Sequence, residues 1–103
     1  MGINSFIYDL ATHNTTIGDI KDGIANLDSW MKRESVPTPL SLGMAKSSIL
    51  YEPLGVVLVL AAWNYPVVTA IPPVAAAISA GNSVILKPSE LAPHTSKALK
   101  KLF

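Results

Sequence analysis

Thirty-four consecutive residues, Pro53 to Leu86, carry no charged side chain. A run that long can cross a bilayer as a helix, so its interior decides what the chain can fold into. Pro66, Pro72 and Pro73 interrupt it, and Gly55, Asn64, Gly81 and Asn82 are spread along it. Each proline inside a helix removes a hydrogen bond and costs about 3 kcal/mol. One continuous helix is therefore disfavoured, and the run reads better as pieces. Val56 to Leu60 is a short β-branched block behind the Pro53 and Gly55 breakers, as in a strand buried on both faces of a parallel sheet. Val67 to Ala80 is small and apolar and stops at Gly81-Asn82, which suits a helix end. Ser83 to Lys87 is a second strand, closed by Pro88. Strand, helix, strand is a βαβ unit, whose strands run parallel through a right-handed crossover.

The flanks differ from this centre. Residues 1–52 hold six acids and four bases, and residues 53–103 hold one acid and four bases. Ile17, Ile20, Ile24, Leu27 and Met31 recur at helical spacing, and Thr16 with Asp19 three residues on resembles a capping box. Ser35 to Leu42 holds Pro37 and Pro39 and reads as an extended arm, with Lys46 to Tyr51 a strand leading into the apolar block. Pro93 to Phe103 reads as a helix with Pro93 at its first position and Lys97, Lys100 and Lys101 toward its negative end.

Composition removes several functions. The 103 residues contain no cysteine, so the chain holds no disulfide, cysteine zinc ligand or cysteine nucleophile. A net charge of +1 gives no footprint for nucleic acid. His13 and His94 stand far apart with no second ligand at metal spacing and read as surface histidines. Met1-Gly2 begins like a myristoylation site, but Phe6 stands where that pattern wants Ser or Thr.

Ligands of open α/β sheets bind beyond the carboxyl ends of the strands. Two clusters fall there, Ala61-Ala62-Trp63-Asn64-Tyr65-Pro66 and Lys87-Pro88-Ser89-Glu90. From the residues alone, Asn64 also fits a helix N-cap, Trp63 a packing role, Lys87 a solvated strand end and Glu90 a helix-dipole partner.

The stretch Glu52-Pro53-Leu54-Gly55-Val56-Val57, then Trp63-Asn64-Tyr65-Pro66, then Gly81-Asn82-Ser83-Val84-Ile85-Leu86-Lys87-Pro88-Ser89-Glu90 resembles the aldehyde dehydrogenase superfamily in order and separation. The detail looks closest to the branch acting on fatty and aromatic aldehydes. The resemblance implies an α/β fold: an N-terminal helical and arm region over residues 1–45, then over 46–103 the first βαβ part of a truncated Rossmann-like cofactor domain. That family oxidises an aldehyde to a carboxylic acid with NAD or NADP. By resemblance Asn64 is the catalytic oxyanion-hole donor, Lys87 and Glu90 meet the adenosine ribose hydroxyls, the backbone of Ala61, Ala62 and Trp63 lines the cofactor, and Ser89 sits beside the ribose. The family's cysteine nucleophile, its Gly-rich segment beside the nicotinamide and its general-base glutamate all lie downstream of the part this chain resembles. The chain therefore reads as a cytoplasmic amino-terminal fragment that binds NAD(P) weakly or not at all and is inactive alone. As such a piece, it leaves a sheet edge and apolar faces uncovered. Two alternatives stand beside this reading: a non-catalytic partner that pairs with a full-length relative or with itself, and a small membrane-associated protein built on Pro53–Leu86.

Overall fold

The computed structural model describes residues 4–103, which leaves Met1-Gly2 outside the described residues. The chain opens with α1 (Ser5–Tyr8), a π-helical turn over Asp9–His13 and α2 (Asn14–Trp30). Next come β1 (Glu34–Val36), a 3-10 turn at Leu40–Leu42 and β2 (Ser47–Ile49). The remainder is β3 (Val56–Leu60), α3 (Ile71–Ser79), β4 (Ser83–Lys87) and α4 (Pro93–Leu102).

The apolar run forms the expected βαβ unit. β3 and β4 pair in parallel, from Val56 opposite Ser83 to Leu60 opposite Lys87. Among the described residues no helix is long and apolar enough to cross a membrane. α3 starts at Ile71 rather than Val67, and the prolines explain why. Pro72 and Pro73 have no N–H to donate, so they fit only the first turn, where no intrahelical acceptor is needed. Residues 67–70 instead make a preceding turn, with the Ile71 N–H donating to the Val67 carbonyl at 2.8 Å.

The end of α3 is the stop its sequence announces. Gly81 takes φ +80°. Its N–H donates to the Ile78 carbonyl at 2.8 Å, and the Asn82 N–H donates to the Ala77 carbonyl at 3.0 Å. These two bonds are the Schellman pair. The Asn82 side chain then ties the helix end to the start of β3, its Oδ1 accepting from the Gly55 N–H at 2.9 Å.

Among the described residues, only one face of the parallel sheet is covered. Val59 is buried and Val57 half-buried, whereas Val56, Leu58 and Leu60 on the opposite face are 59–68% exposed. The strand has the composition of one covered on both faces, and here it has a layer on one. The core is correspondingly thin: the buried apolar residues among those described are Val59, Ala61, Ala70, Val74, Ala77 and Leu99, and Ala61, Ala70 and Leu99 cluster with Ile71 and Leu86 packed against them. The radius of gyration is 18.7 Å, where a compact domain of this length has about 13 Å.

Two expectations for the first half change. Thr16 is not a cap: α2 continues from the preceding π turn, its N-cap residue is His13, and Thr16 lies one turn inside, buried. A box at Thr16 would need free N–H groups that a continuing helix does not leave. The apolar stripe is also only half used. Thr12 and Thr16 are buried and Ile20, Gly23 and Leu27 half-buried, while Ile24 and Met31 stay 72% and 67% exposed. α2 turns its smaller residues toward the Ala-rich α3, and a Cβ placed on Gly23 would lie 3.8 Å from Ser79 Oγ. Small residues on both helices allow that close approach. The bulkier Ile24 and Met31 are left at the margin of that contact, mostly exposed.

The arm and the later strand are one unit rather than two separate segments. β1 and β2 form an antiparallel hairpin, with Glu34 opposite Ile49 and Val36 opposite Ser47. Thr38 Oγ1 accepts the Ser47 N–H at 2.9 Å and fixes the hairpin's inner end. Leu40 and Met44 at its tip are fully exposed.

Candidate active-site edge

Because β3 and β4 are parallel, both strands end at the same edge of the sheet. The Ala61 N–H donates to the Lys87 carbonyl at 3.0 Å, so the two chain segments leave the sheet side by side. The first segment holds Ala61 to Pro66 and the second Lys87 to Glu90.

The first loop is held by a residue not singled out in the sequence. The Thr69 hydroxyl accepts the Ala62 N–H at 3.0 Å and donates to the Tyr65 carbonyl at 2.9 Å. Thr69 thus closes the loop around Trp63 and Asn64 from inside. Threonine's habit of bonding back to the carbonyl four residues earlier was the available signal. Asn64 is exposed and does not cap α3, whose N-cap residue is Ala70 and carries no side-chain cap bond. Its carboxamide is therefore free of the structural role open to it on sequence alone. Trp63 is 56% exposed, so packing does not occupy its ring fully. Ala61 is buried in the core, and Ala62 is half-buried with its N–H committed to Thr69.

In the second segment Lys87 Nζ donates to the Glu90 carboxylate, and both side chains are more than half exposed. That hydrogen bond holds the Glu90 carboxyl below its ordinary range, helped by the backbone N–H of Glu90 and by the ammonium charge. Ser89 is buried; its Oγ accepts the Leu91 N–H at 3.2 Å and its carbonyl accepts from Ser96 Oγ at 2.9 Å. It fixes the turn into α4.

Between the first loop and the start of α4 lies a crevice of about 580 Å³. Trp63, Asn64, Leu91 and His94 line it, and Tyr8 and Thr12 reach it from the N-terminal helices. The Lys87–Glu90 pair lies at the same sheet edge but outside that lining. The edge thus presents an uncommitted carboxamide in a crevice and, beyond the end of β4, one ammonium beside one carboxylate. The first suits stabilisation of a growing negative charge on oxygen, the second a pair of neighbouring hydroxyls. His94 borders the crevice, and among the described residues no group of three potential metal ligands gathers.

Comparison with known proteins decides the ancestry. The model of the aldehyde dehydrogenase family matches residues 11–103. The chain belongs to the aldehyde dehydrogenase family. It is 47% identical over 100 residues to aldehyde dehydrogenase family 3 member H1 of Arabidopsis thaliana, a match that covers 97% of this chain and 20% of that protein. It is 46% identical over 88 residues to aldehyde dehydrogenase family 3 member A2 of Macaca fascicularis, covering 85% of this chain and 18% of that one. A solved Staphylococcus aureus structure, described as the substrate-bound state of AldH, superposes with a TM-score of 0.89 at 40% identity, over 92% of this chain and 21% of its own. The chain thus spans about a fifth of the length of these aldehyde dehydrogenases. The family 3 relatives agree with the branch its motifs resemble, and the solved structure agrees with a Rossmann-like α/β fold.

Proposed function

We propose that this chain supplies the oxyanion-stabilising amide and the ribose-binding pair of an NAD(P)-dependent aldehyde dehydrogenase, with residues 1–45 a helical and arm region and 46–103 the start of the cofactor domain. One observation carries the reading: the parallel register sets Leu60 opposite Lys87, so the Asn64 loop and the Lys87–Glu90 pair share the carboxyl edge of the sheet. That is where open α/β sheets take their ligands.

The donor set fits the dinucleotide. Lys87 and Glu90 are exposed and bonded to each other, so a ribose can displace that contact, taking a proton donor from the ammonium and an acceptor from the carboxylate. Ser89 holds the turn that presents them, and the backbone at Ala61, Ala62 and Trp63 forms the floor. The chemistry the cofactor supplies when bound is acceptance of hydride from the aldehyde carbon. Asn64 acts on the substrate: its amide N–H donates to the carbonyl oxygen as that oxygen gains charge, worth about 3 kcal/mol of barrier. The chain carries no cysteine to attack the carbonyl, so alone it oxidises no aldehyde. Fatty or aromatic aldehydes are the substrates of the assembled site.

The test is a chimera in which this chain replaces its matched segment in the Staphylococcus aureus relative. The chimera is expected to oxidise aldehydes with NAD or NADP, and Asn64→Ala to lower its kcat by about a hundredfold or more. Unchanged turnover in that variant would remove Asn64 from the site. The isolated chain is expected to show no turnover with either dinucleotide, and measurable oxidation by it would refute the claim of inertness.

A further inference from the structure

A second concave surface lies at the amino edge of the sheet, opposite the Asn64 loop. It is a groove of about 690 Å³, within the range of small-ligand pockets, bordered by Trp30, Met31, Tyr51 and Glu52 and by the end of α3. Pro53 and Gly81, which precede β3 and β4, complete it. Its walls are fixed by contacts on both sides. Pro53 packs on Gly81, where an added Cβ would lie 3.4 Å from Pro53 Cβ, and Asn82 Oδ1 accepts the Gly55 N–H at 2.9 Å. These two hold the Tyr51–Pro53 segment against the end of α3. The close approach of Gly23 to Ser79 holds α2 against that same end.

The electrostatics of this groove have one sign. α2 ends at Trp30 with Met31 as its C-cap, and α3 ends at Ser79 with Ala80 as its C-cap. Two negative helix ends therefore border one groove, and neither helix has a basic residue in its last turn to offset them. Among the described residues that line the groove Glu52 bears the only charge, and Lys32 and Arg33, which follow Met31, lie outside the lining. Trp30 and Tyr51 are 55% and 73% exposed, so their rings are open to a ligand. The faces of such rings attract cations. We propose that this groove binds a small organic cation, a quaternary ammonium on a short carbon body. Its charge lies toward Trp30, Tyr51 and Glu52 and its carbon atoms on Pro53 and Ala80. One carboxylate supplies too few oxygens for a divalent metal, and among the described residues no cluster of metal ligands forms. The site lies at the opposite edge from the Asn64 loop and is independent of the cofactor reading.

The experiment titrates this chain with choline chloride at constant ionic strength, with no dinucleotide or aldehyde present, and follows its NMR resonances. Choline is expected to saturate with a Kd of roughly 1–10 mM, shifting the Trp30 indole and the Tyr51 and Gly81 amides and leaving the Trp63 indole in place. The uncharged alcohol in which carbon replaces the ammonium nitrogen has the same shape and is expected to bind at least fivefold more weakly. Trp30→Leu and Glu52→Gln are each expected to weaken choline at least threefold. The glutamine variant changes an exposed side chain at constant shape, so it tests the charge even where the leucine variant fails to fold. Phosphatidylcholine vesicles separate the sources of the ammonium: broadening of the Trp30 resonance that choline reverses marks a lipid headgroup, an unchanged spectrum marks a free ligand, and the site stands in both. Equal binding of choline and the uncharged alcohol overturns the proposal, as do shifts that fail to saturate or a choline affinity indifferent to Glu52→Gln.

Discussion

The N–H of Ala61 donates to the carbonyl of Lys87 across the last rung of the parallel ladder. That bond places the tryptophan–asparagine loop and the lysine–glutamate turn at one edge of the sheet. Each loop is then fixed by its own hydroxyl bonded to backbone, half-buried Thr69 for the first and buried Ser89 for the second.

Thr69→Val is expected to loosen the first loop with little change elsewhere. It keeps the shape and removes an acceptor for Ala62 and a donor for Tyr65. Leaving the part-buried Ala62 N–H unpartnered costs about 1–3 kcal/mol. Amide exchange at Ala62 should accelerate accordingly. Thr69→Ser restores the hydroxyl and is expected to return the protection, which a packing defect would not do.

The Lys87–Glu90 pair has a signature in acid. The Lys87 hydrogen bond, the backbone N–H and then the ammonium charge favour the ionised carboxylate, so Glu90 titrates below an ordinary glutamate. Whatever it adds to stability is present above the unfolded-state pKa and fades as pH falls through the lowered folded value. With both groups exposed that contribution is small and salt-sensitive. A carbon-13 titration of the Glu90 carboxyl should give a midpoint that rises toward the ordinary value in Lys87→Met and, partly, in concentrated salt. A midpoint indifferent to both would show that the ion pair does not persist in solution.

The sequence was most legible where backbone chemistry leaves few options. Pro53, Gly55, Gly81 and Pro88 bracket the two strands, and the strands appear where those residues place them. α4 likewise starts at Pro93, with Lys100 and Lys101 in its last turn. Legibility failed where a residue's role depends on what lies across from it. The isoleucine stripe of α2 has a helical period, yet the face that packs runs through Thr16, Ile20, Gly23 and Leu27 and leaves Ile24 and Met31 exposed, because its orientation is set by the close approach of α3 at Gly23. The pairing of β1 with β2 was hidden because three-residue strands carry almost no alternation. At the site, the carboxyl-edge placement followed from strand order. Thr69 did not, since its bonds exist only once residues 66–70 fail to become helix ahead of the prolines.

Gly81 holds a conformation that alanine adopts at a cost. Its φ of +80° terminates α3 and turns the chain into β4, and a Cβ there would lie 3.4 Å from Pro53 Cβ. Contact at that distance is ordinary, so the cost is conformational, about 1–2 kcal/mol. Gly81→Ala should lower stability by that amount, read as a lower urea midpoint at unchanged slope, and Gly81→Asn by less, because asparagine tolerates the left-handed region. Equal losses would point to the Pro53 contact instead.

Thr16 is the converse case, a residue whose removal should help. Its side chain is buried at 5% exposure, and its Oγ1 has no hydrogen-bond partner among the described residues. A hydroxyl taken out of water without compensation costs about 1–3 kcal/mol. Thr16→Val keeps the branched shape and replaces the polar atom with a methyl at a buried position. Stability should rise by about 1 kcal/mol, read as a higher urea midpoint with an unchanged slope. Thr16→Ser keeps the unpaired oxygen and loses the methyl, so it should lower the midpoint. If valine also lowers it, the hydroxyl has a partner in solution, and the surroundings of Thr16 are polar at this point rather than apolar.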